Sequence, residues 1–192
     1  MANIVFLDNF DSFSYNLVEQ FSALGHDVIV YRNTLDVSSI EQSIHQLEQP
    51  ILVLSPGPGR PLEAGCLLEL IHRLKGQLPI IGICLGHQAI VEAYGGAITH
   101  AGDIVHGKIS LIEHNEHPIF NEISSPMPVA RYHSLIASAV PECFTITSQV
   151  DGLVMSVVHE KHKICGLQFH PESIMTPQGA KLLSNIFTWA LQ

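Results

Sequence analysis

The stretch LPIIGICLGHQAIVEAYGG (Leu78–Gly96) joins an apolar run that reads as a buried strand to a segment that reads as a helix, and a cysteine stands at the join. PIIGI is free of charge and rich in β-branched residues, as a strand covered on both faces should be. Cys84 sits between Gly82 and Gly86. A Gly-x-nucleophile-x-Gly corner between strand and helix is a nucleophile elbow, in which glycines relieve crowding at a strained turn. The corner lifts its side chain above the carboxyl end of the sheet, where open α/β folds bind ligands. The helix that follows aims its N-terminal amides and positive dipole end at the sulfur, which favours thiolate over thiol. The Leu85 amide is placed to donate to an oxyanion. Cysteine is also among the most buried residue types. From this stretch alone, a packed core thiol and an activated nucleophile both stand.

Working outward, the first half alternates strand and helix signals. NIVFLD, DVIVYR and ILVLS read as strands. Ser12 or Ser14 is expected to cap a helix with Phe13, Leu17, Phe21 and Leu24 on one face and Gly25 at its end. Ser38 and Glu41 predict a capping box for a helix with Ile40, Ile44 and Leu47 inward. A helix near EAGCLLELIHRLKG precedes the PIIGI strand. Continuous apolar strands spaced by amphipathic helices predict a parallel sheet covered on both faces.

After Gly96 the segments shorten and often alternate. AITHAGDIVHGKISLIEH, PMPVARYHSLIAS, FTITSQV, GLVMSVVHE and KICGLQFH predict antiparallel strands and hairpins. A closing helix is expected with Thr176 as N-cap, Pro177 at its first position, and Leu182, Leu183, Ile186 and Phe187 on one face. The fold class is α/β: a doubly wound, mostly parallel central sheet flanked by helices, with an antiparallel β extension in the second half. At 192 residues the chain is expected to form one domain, 1–192.

Composition narrows the function. The formal charge of −9 argues against a nucleic-acid backbone or an anionic membrane as partner. No apolar run approaches the roughly 18 residues needed to span a bilayer. The start, MANIVFLDNFDSF, lacks a basic leader region. Four cysteines without a C-x-x-C pair suggest neither a disulfide framework nor zinc. A reducing, cytoplasmic compartment is the expectation.

A cysteine nucleophile wants a base and a group that orients it. Among twelve histidines the distinctive one is His170, at the end of ICGLQF and two residues before Glu172. In an extended segment the two share a side, and Glu172 can then fix the ring's tautomer. Beside the elbow, this pair reads as the rest of a triad. LSPGPGRP reads as a rigid loop at the same sheet edge, where Gly57 or Gly59 lets backbone amides approach a ligand. GDIVHGKIS nearly matches a phosphate-binding loop, but Ile109 stands where Ser or Thr is needed. His114 with His117, and His159 with His162, read as solvated turns, and Cys66, Cys143 and Cys165 as packing thiols.

SPGPG, GICLGHQ, RYHSL and FHPES, in this order, resemble the class I (triad) glutamine amidotransferases, and the resemblance extends to the LDNFDSFSYNL start. The resemblance implies that Cys84 is the nucleophile, His170 its base and acid, and Glu172 the orienting carboxylate. It implies oxyanion amides at Gly57 and Leu85, with Pro58 and Gly59 in the same substrate loop. Gln88 is implied to hold the glutamine substrate, and Ser134 and Leu135 to clamp its α-amino and α-carboxylate groups. Lys108 falls in a family motif without a role that its chemistry assigns. No cofactor and no metal are implied in this chain; magnesium belongs with the partner. That partner is implied to be a larger chorismate-binding synthase subunit that collects the ammonia. Two branches of the family have such a partner, one forming anthranilate and the other aminodeoxychorismate. The LSPGPGRPLEAGC wording is nearer the first, and both stay open. A cysteine hydrolase of peptides or γ-glutamyl compounds would use the same elbow chemistry.

Overall fold

The computed structural model describes residues 2–102 and 107–192. The first half runs β1 (Asn3–Asp8), α1 (Ser14–Ala23), β2 (Asp27–Arg32), α2 (Val37–Ile44), β3 (Pro50–Leu54), α3 (Leu67–Leu74), β4 (Ile80–Ile83) and α4 (Leu85–Ala93). The second half runs β5 (Ala97–His100), β6 (Lys108–His114), β7 (Met127–Arg131), β8 (Leu135–Ala139), β9 (Thr145–Val150), β10 (Leu153–His159), β11 (Ile164–Leu167) and α5 (Gly179–Ala190). Residues 103–106, within the GDIVHGKIS reading, lie outside the described residues.

One nine-stranded sheet dominates, in the order β2-β1-β3-β4-β11-β10-β9-β6-β7, and β5 pairs with β8 in a separate ribbon. The strands from β2 to β11 are parallel neighbours, and from β10 outward the pairing is antiparallel. The extension therefore continues the central sheet. KICGLQFH was expected among the antiparallel hairpins, and its strand β11 does pair antiparallel with β10; on its other edge it pairs in parallel with β4, which brings the segment after β11 beside the elbow.

Period-2 alternation divides the core in two. Ile4 and Phe6 of β1 face one side with Leu17 and Phe21 of α1 and Leu182, Leu183 and Ile186 of α5. Val5 and Leu7 face the other with Ile40 and Ile44 of α2, Leu67 and Leu70 of α3, and Ile90 of α4. Each buried Leu or Ile contributes about 1.5–3 kcal/mol, so these two layers fix the sheet that carries the site.

Several expected helix caps fall elsewhere. Phe13, not a serine, stands at the N-cap of α1, and Ser14 Oγ instead donates to Asp8 Oδ1 at 2.7 Å. Phe13 is 43% exposed and leaves the expected apolar face. Asp36 caps α2, its carboxylate accepting from the Ser39 amide at 3.2 Å, because a carboxylate just ahead of the helix outcompetes the Ser38–Glu41 box. Thr176 does not cap α5. Its hydroxyl donates to the His170 carbonyl at 2.7 Å and accepts from the Ala130 amide at 3.0 Å. Cys143 is exposed, and His159 is buried against His162, their rings stacked 4.1 Å apart; neither fits its expected setting.

Candidate active site

Cys84 stands between β4 and α4 as the helix N-cap, with φ of 52° and ψ of −101°, a positive-φ conformation that non-glycine residues rarely adopt. Its amide donates to the Leu167 carbonyl at 2.7 Å, tying the elbow to β11. The glycines on either side are there for close approach. A Cβ on Gly82 would lie 2.5 Å from the Gly86 carbonyl carbon, and one on Gly86 would lie 2.4 Å from the Leu54 carbonyl oxygen. Strand and helix thus cross at a distance no side chain permits.

His170 lies three residues beyond β11. Its amide donates to the Ala130 carbonyl at 3.0 Å, and Thr176 holds its carbonyl from behind. The Nδ1–H donates to Glu172 Oε1 at 2.6 Å, and both residues are buried. The pair is brought together by a turn, with the Ser173 amide reaching the His170 carbonyl at 3.4 Å, and not by an extended segment. Tyr132 packs its ring edge-on to the imidazole, with centroids 5.1 Å apart. With Nδ1 committed to Glu172, Nε2 is left buried without a formed hydrogen bond among the described residues. Burial works to lower the His170 pKa, but charge attraction to Cys84 and the hydrogen bond and charge of Glu172 override it and push the pKa up to about 10. An imidazolium beside Cys84 is what a thiolate needs.

Cys84 and His170 line one cavity of about 240 Å³ together with Asp11, Phe13, Pro56, Gly57 and Tyr132. Burial pushes the Asp11 carboxyl up, against the pull of the Phe13 amide and the His170 charge. Gly57 must be glycine for space. A Cβ there would sit 2.7 Å from Asn9 Cβ and 2.8 Å from Leu85 Cδ2. Gly57 and Leu85 therefore meet at the rim of the elbow. The Leu85 amide opens α4 and has no intrahelical acceptor.

The other expected site residues divide. Pro58 and Gly59 are exposed and do not line this cavity; Pro56 does. Gly59, with φ of 75°, turns the loop away. Gln88 is buried behind the elbow, where Nε2 donates to the Leu135 carbonyl at 3.1 Å and to Gln168 Oε1 at 3.2 Å. The Ser134 carbonyl accepts from the Ala101 amide at 2.8 Å. Asp11, Phe13, Tyr132 and Gln168 were not among the expected residues. For Tyr132 a signal existed, since it lies inside RYHSL. A larger concavity of about 710 Å³, bounded by His114, Phe120 and Trp189, includes none of the Cys84 cavity's residues.

Comparison with known proteins follows the same lines. The family model for glutamine amidotransferase class-I matches residues 5–190. A Vibrio parahaemolyticus protein named anthranilate synthase component 2 is 62% identical over 192 residues, covering 100% of this chain and 98% of its own. A Haemophilus influenzae protein of the same name is 52% identical, covering 100% of this chain and 99% of its own. Among solved structures, a Thermoplasma acidophilum protein described as part of a GMP synthase is similar, with a TM-score of 0.86 at 25% identity over 99% of this chain and 94% of that one. A strained cysteine elbow, a buried histidine–carboxylate pair on the same cavity and a family match over nearly the whole chain agree, and the chain belongs to the class-I glutamine amidotransferases.

Proposed function

We propose that this chain is the glutaminase subunit of an anthranilate synthase, hydrolysing L-glutamine and passing ammonia to a chorismate-binding component I. The observation that carries this reading is the identity of 62% along the full chain with a protein named anthranilate synthase component 2.

In the proposed reaction the Cys84 thiolate attacks the side-chain amide carbon of glutamine. A carbon–sulfur bond forms, and the Gly57 and Leu85 amides hold the oxyanion. His170 gives its proton to the leaving nitrogen as the carbon–nitrogen bond breaks, releasing ammonia. Water then loses a proton to His170 and attacks the γ-glutamyl thioester. Glutamate departs, and thiolate and imidazolium are restored. Glu172 keeps Nδ1 protonated so that Nε2 serves both proton transfers. The Ser134–Leu135 backbone holds the amino-acid end, and Gln88, whose nitrogen donates to the Leu135 carbonyl and to Gln168, supports that backbone from behind the elbow. The Ser134 carbonyl accepts from the Ala101 amide and keeps a second lone pair for the α-ammonium group, while the backbone amides there can donate only to the α-carboxylate. No residue of this chain is assigned to a cofactor or metal.

Ammonia released into water is protonated and lost as a nucleophile, so a partner must cover the cavity. The rim suits one. Phe13 is 43% exposed and Ile174 96%, and both line a cavity with His170 and Glu172. Apolar side chains so exposed around a polar cavity favour burial against another protein chain. No described helix is long and apolar enough to cross a membrane.

The test is reconstitution with the co-purifying synthase component. Cys84→Ala is expected to abolish glutamine-dependent anthranilate formation while leaving formation from ammonium salt intact. Retained glutamine-dependent synthesis would remove the catalytic assignment. Formation of aminodeoxychorismate alone would move the chain to the other branch with its glutaminase chemistry unchanged.

A further inference from the structure

Behind Cys84 a line of buried polar groups has one possible direction. It begins at Arg131, whose guanidinium can only donate. Arg131 Nε donates to His133 Nε2 at 3.1 Å, and Nη1 donates to Ser110 Oγ at 3.1 Å. His133 must therefore carry its proton on Nδ1, which lies 3.0 Å from the Leu135 carbonyl and donates to it. Burial and the Arg131 charge lower the His133 pKa to about 4, consistent with a neutral ring.

The Leu135 carbonyl can only accept, so Gln88 must present its nitrogen there, at 3.1 Å. That same nitrogen reaches Gln168 Oε1 at 3.2 Å, which fixes the second amide with its oxygen toward Gln88. Gln168 Nε2 is then turned toward Cys84 Sγ, at 3.7 Å. Arg131, His133, Gln88 and Gln168 are all buried, so water cannot reverse any link.

We infer that Gln168 is a positioning residue for the nucleophile: its side-chain amide, locked by Gln88 and the Leu135 carbonyl, donates a hydrogen bond to the Cys84 sulfur and holds it as thiolate in line with the cavity. The inference rests on Cys84 being the nucleophile and adds a donor that reaches the sulfur from behind the elbow. The polarity matters more than the contact, since a donor favours the charged sulfur and an acceptor in the same place repels it.

The test is site-resolved alkylation of the full chain with iodoacetamide, each cysteine followed by peptide mass spectrometry at pH 7 and pH 10. Gln168→Met keeps the volume without a donor, and Gln168→Glu keeps the shape with an acceptor. At pH 7, Cys84 alkylation is expected to slow about tenfold in Gln168→Met and further in Gln168→Glu. At pH 10, where thiols ionise without help, the rates should converge to within about twofold of the unsubstituted chain. Exposed Cys143 should react alike throughout. Gln88→Met, which frees Gln168 without touching the sulfur, should slow Cys84 about threefold at pH 7 and decides the matter if the Gln168 variants do not fold. Unchanged rates at pH 7, or equal slowing at both pH values, overturn the inference. Cys84 reacting no faster than Cys143 in the unsubstituted chain would instead sink the nucleophile reading on which it rests.

Discussion

On the β4 side of Cys84 the surroundings are apolar and crossed at contact distance: Gly82 against Gly86, Gly86 against Leu54, and an almost wholly buried α4 behind them. On the β11 and β7 side they are polar and linked by hydrogen bonds: His170 to Glu172, Thr176 to His170 and Ala130, Gln168 to Gln88. The parallel half holds the sulfur in a strained position by packing. The groups after β11 and along β7 set the protonation around it. Placement and activation are thus separate tasks, and substitutions should separate them.

The largest stability effect belongs to the apolar side. Gly86→Ala puts a Cβ 2.4 Å from the Leu54 oxygen and 2.7 Å from Leu54 Cβ. Overpacking against backbone should cost about 3 kcal/mol, read as a lowered denaturant midpoint. A stability within experimental error of the parent would show that the elbow is not held by packing.

The polar side should lose activity and little stability. Glu172→Gln keeps the shape but no longer fixes the His170 tautomer, and kcat for glutamine hydrolysis in the complex should fall about 10²-fold. A fall in denaturant midpoint as large as that of Gly86→Ala would erase the distinction between the two sides.

A third prediction concerns acid. His87 is fully buried in α4, and burial lowers its pKa to about 3, with the neighbouring His133 lowered to about 4. Above about pH 6.5 both rings are neutral folded or unfolded and pH has no lever. As pH falls below that value the unfolded chain binds protons that the folded chain refuses, so stability is lost from about 6.5 downward to the folded values. At pH 5 each ring should cost about 2 kcal/mol. His87→Leu should abolish its share of the acid loss in melts at pH 7.5 and pH 5. An undiminished pH dependence would remove His87 from the account.

The smallest effect is expected farthest from both sides. Lys181 and Glu122 pair on the surface, and Lys181→Ala should change stability by no more than about 0.5 kcal/mol and leave activity unaltered.

The same division explains what the sequence disclosed. The parallel half was legible because its signals are local: uninterrupted apolar strands, amphipathic helices and a Gly-x-Cys-x-Gly corner. The caps at Phe13 and Asp36 were missed because neighbours one or two positions away compete for the same amides. In the second half, strand patterns were legible but sheet neighbours were not: β11 forms the expected antiparallel pair with β10, and its parallel pairing with β4 carried no local signal. Cys84, His170 and Glu172 carried motif signals and meet around one cavity or its supporting turn. Gln168 stands in the ICGLQF run that leads into His170, but its tie to Gln88, 80 positions away, carried no local signal. Thr176 looked like a cap because its tie to Ala130 spans 46 positions.

The central claim is that the strained Cys84 forms a covalent bond to the γ-carbonyl of glutamine. The most direct measurement is acid quenching of the complete synthase turning over glutamine and chorismate, followed by peptide mass spectrometry. The account predicts a γ-glutamyl adduct on the peptide carrying Cys84, accumulating in the steady state and absent in Cys84→Ala. Turnover with no adduct on any cysteine, or with the adduct on Cys66, Cys143 or Cys165, would contradict it.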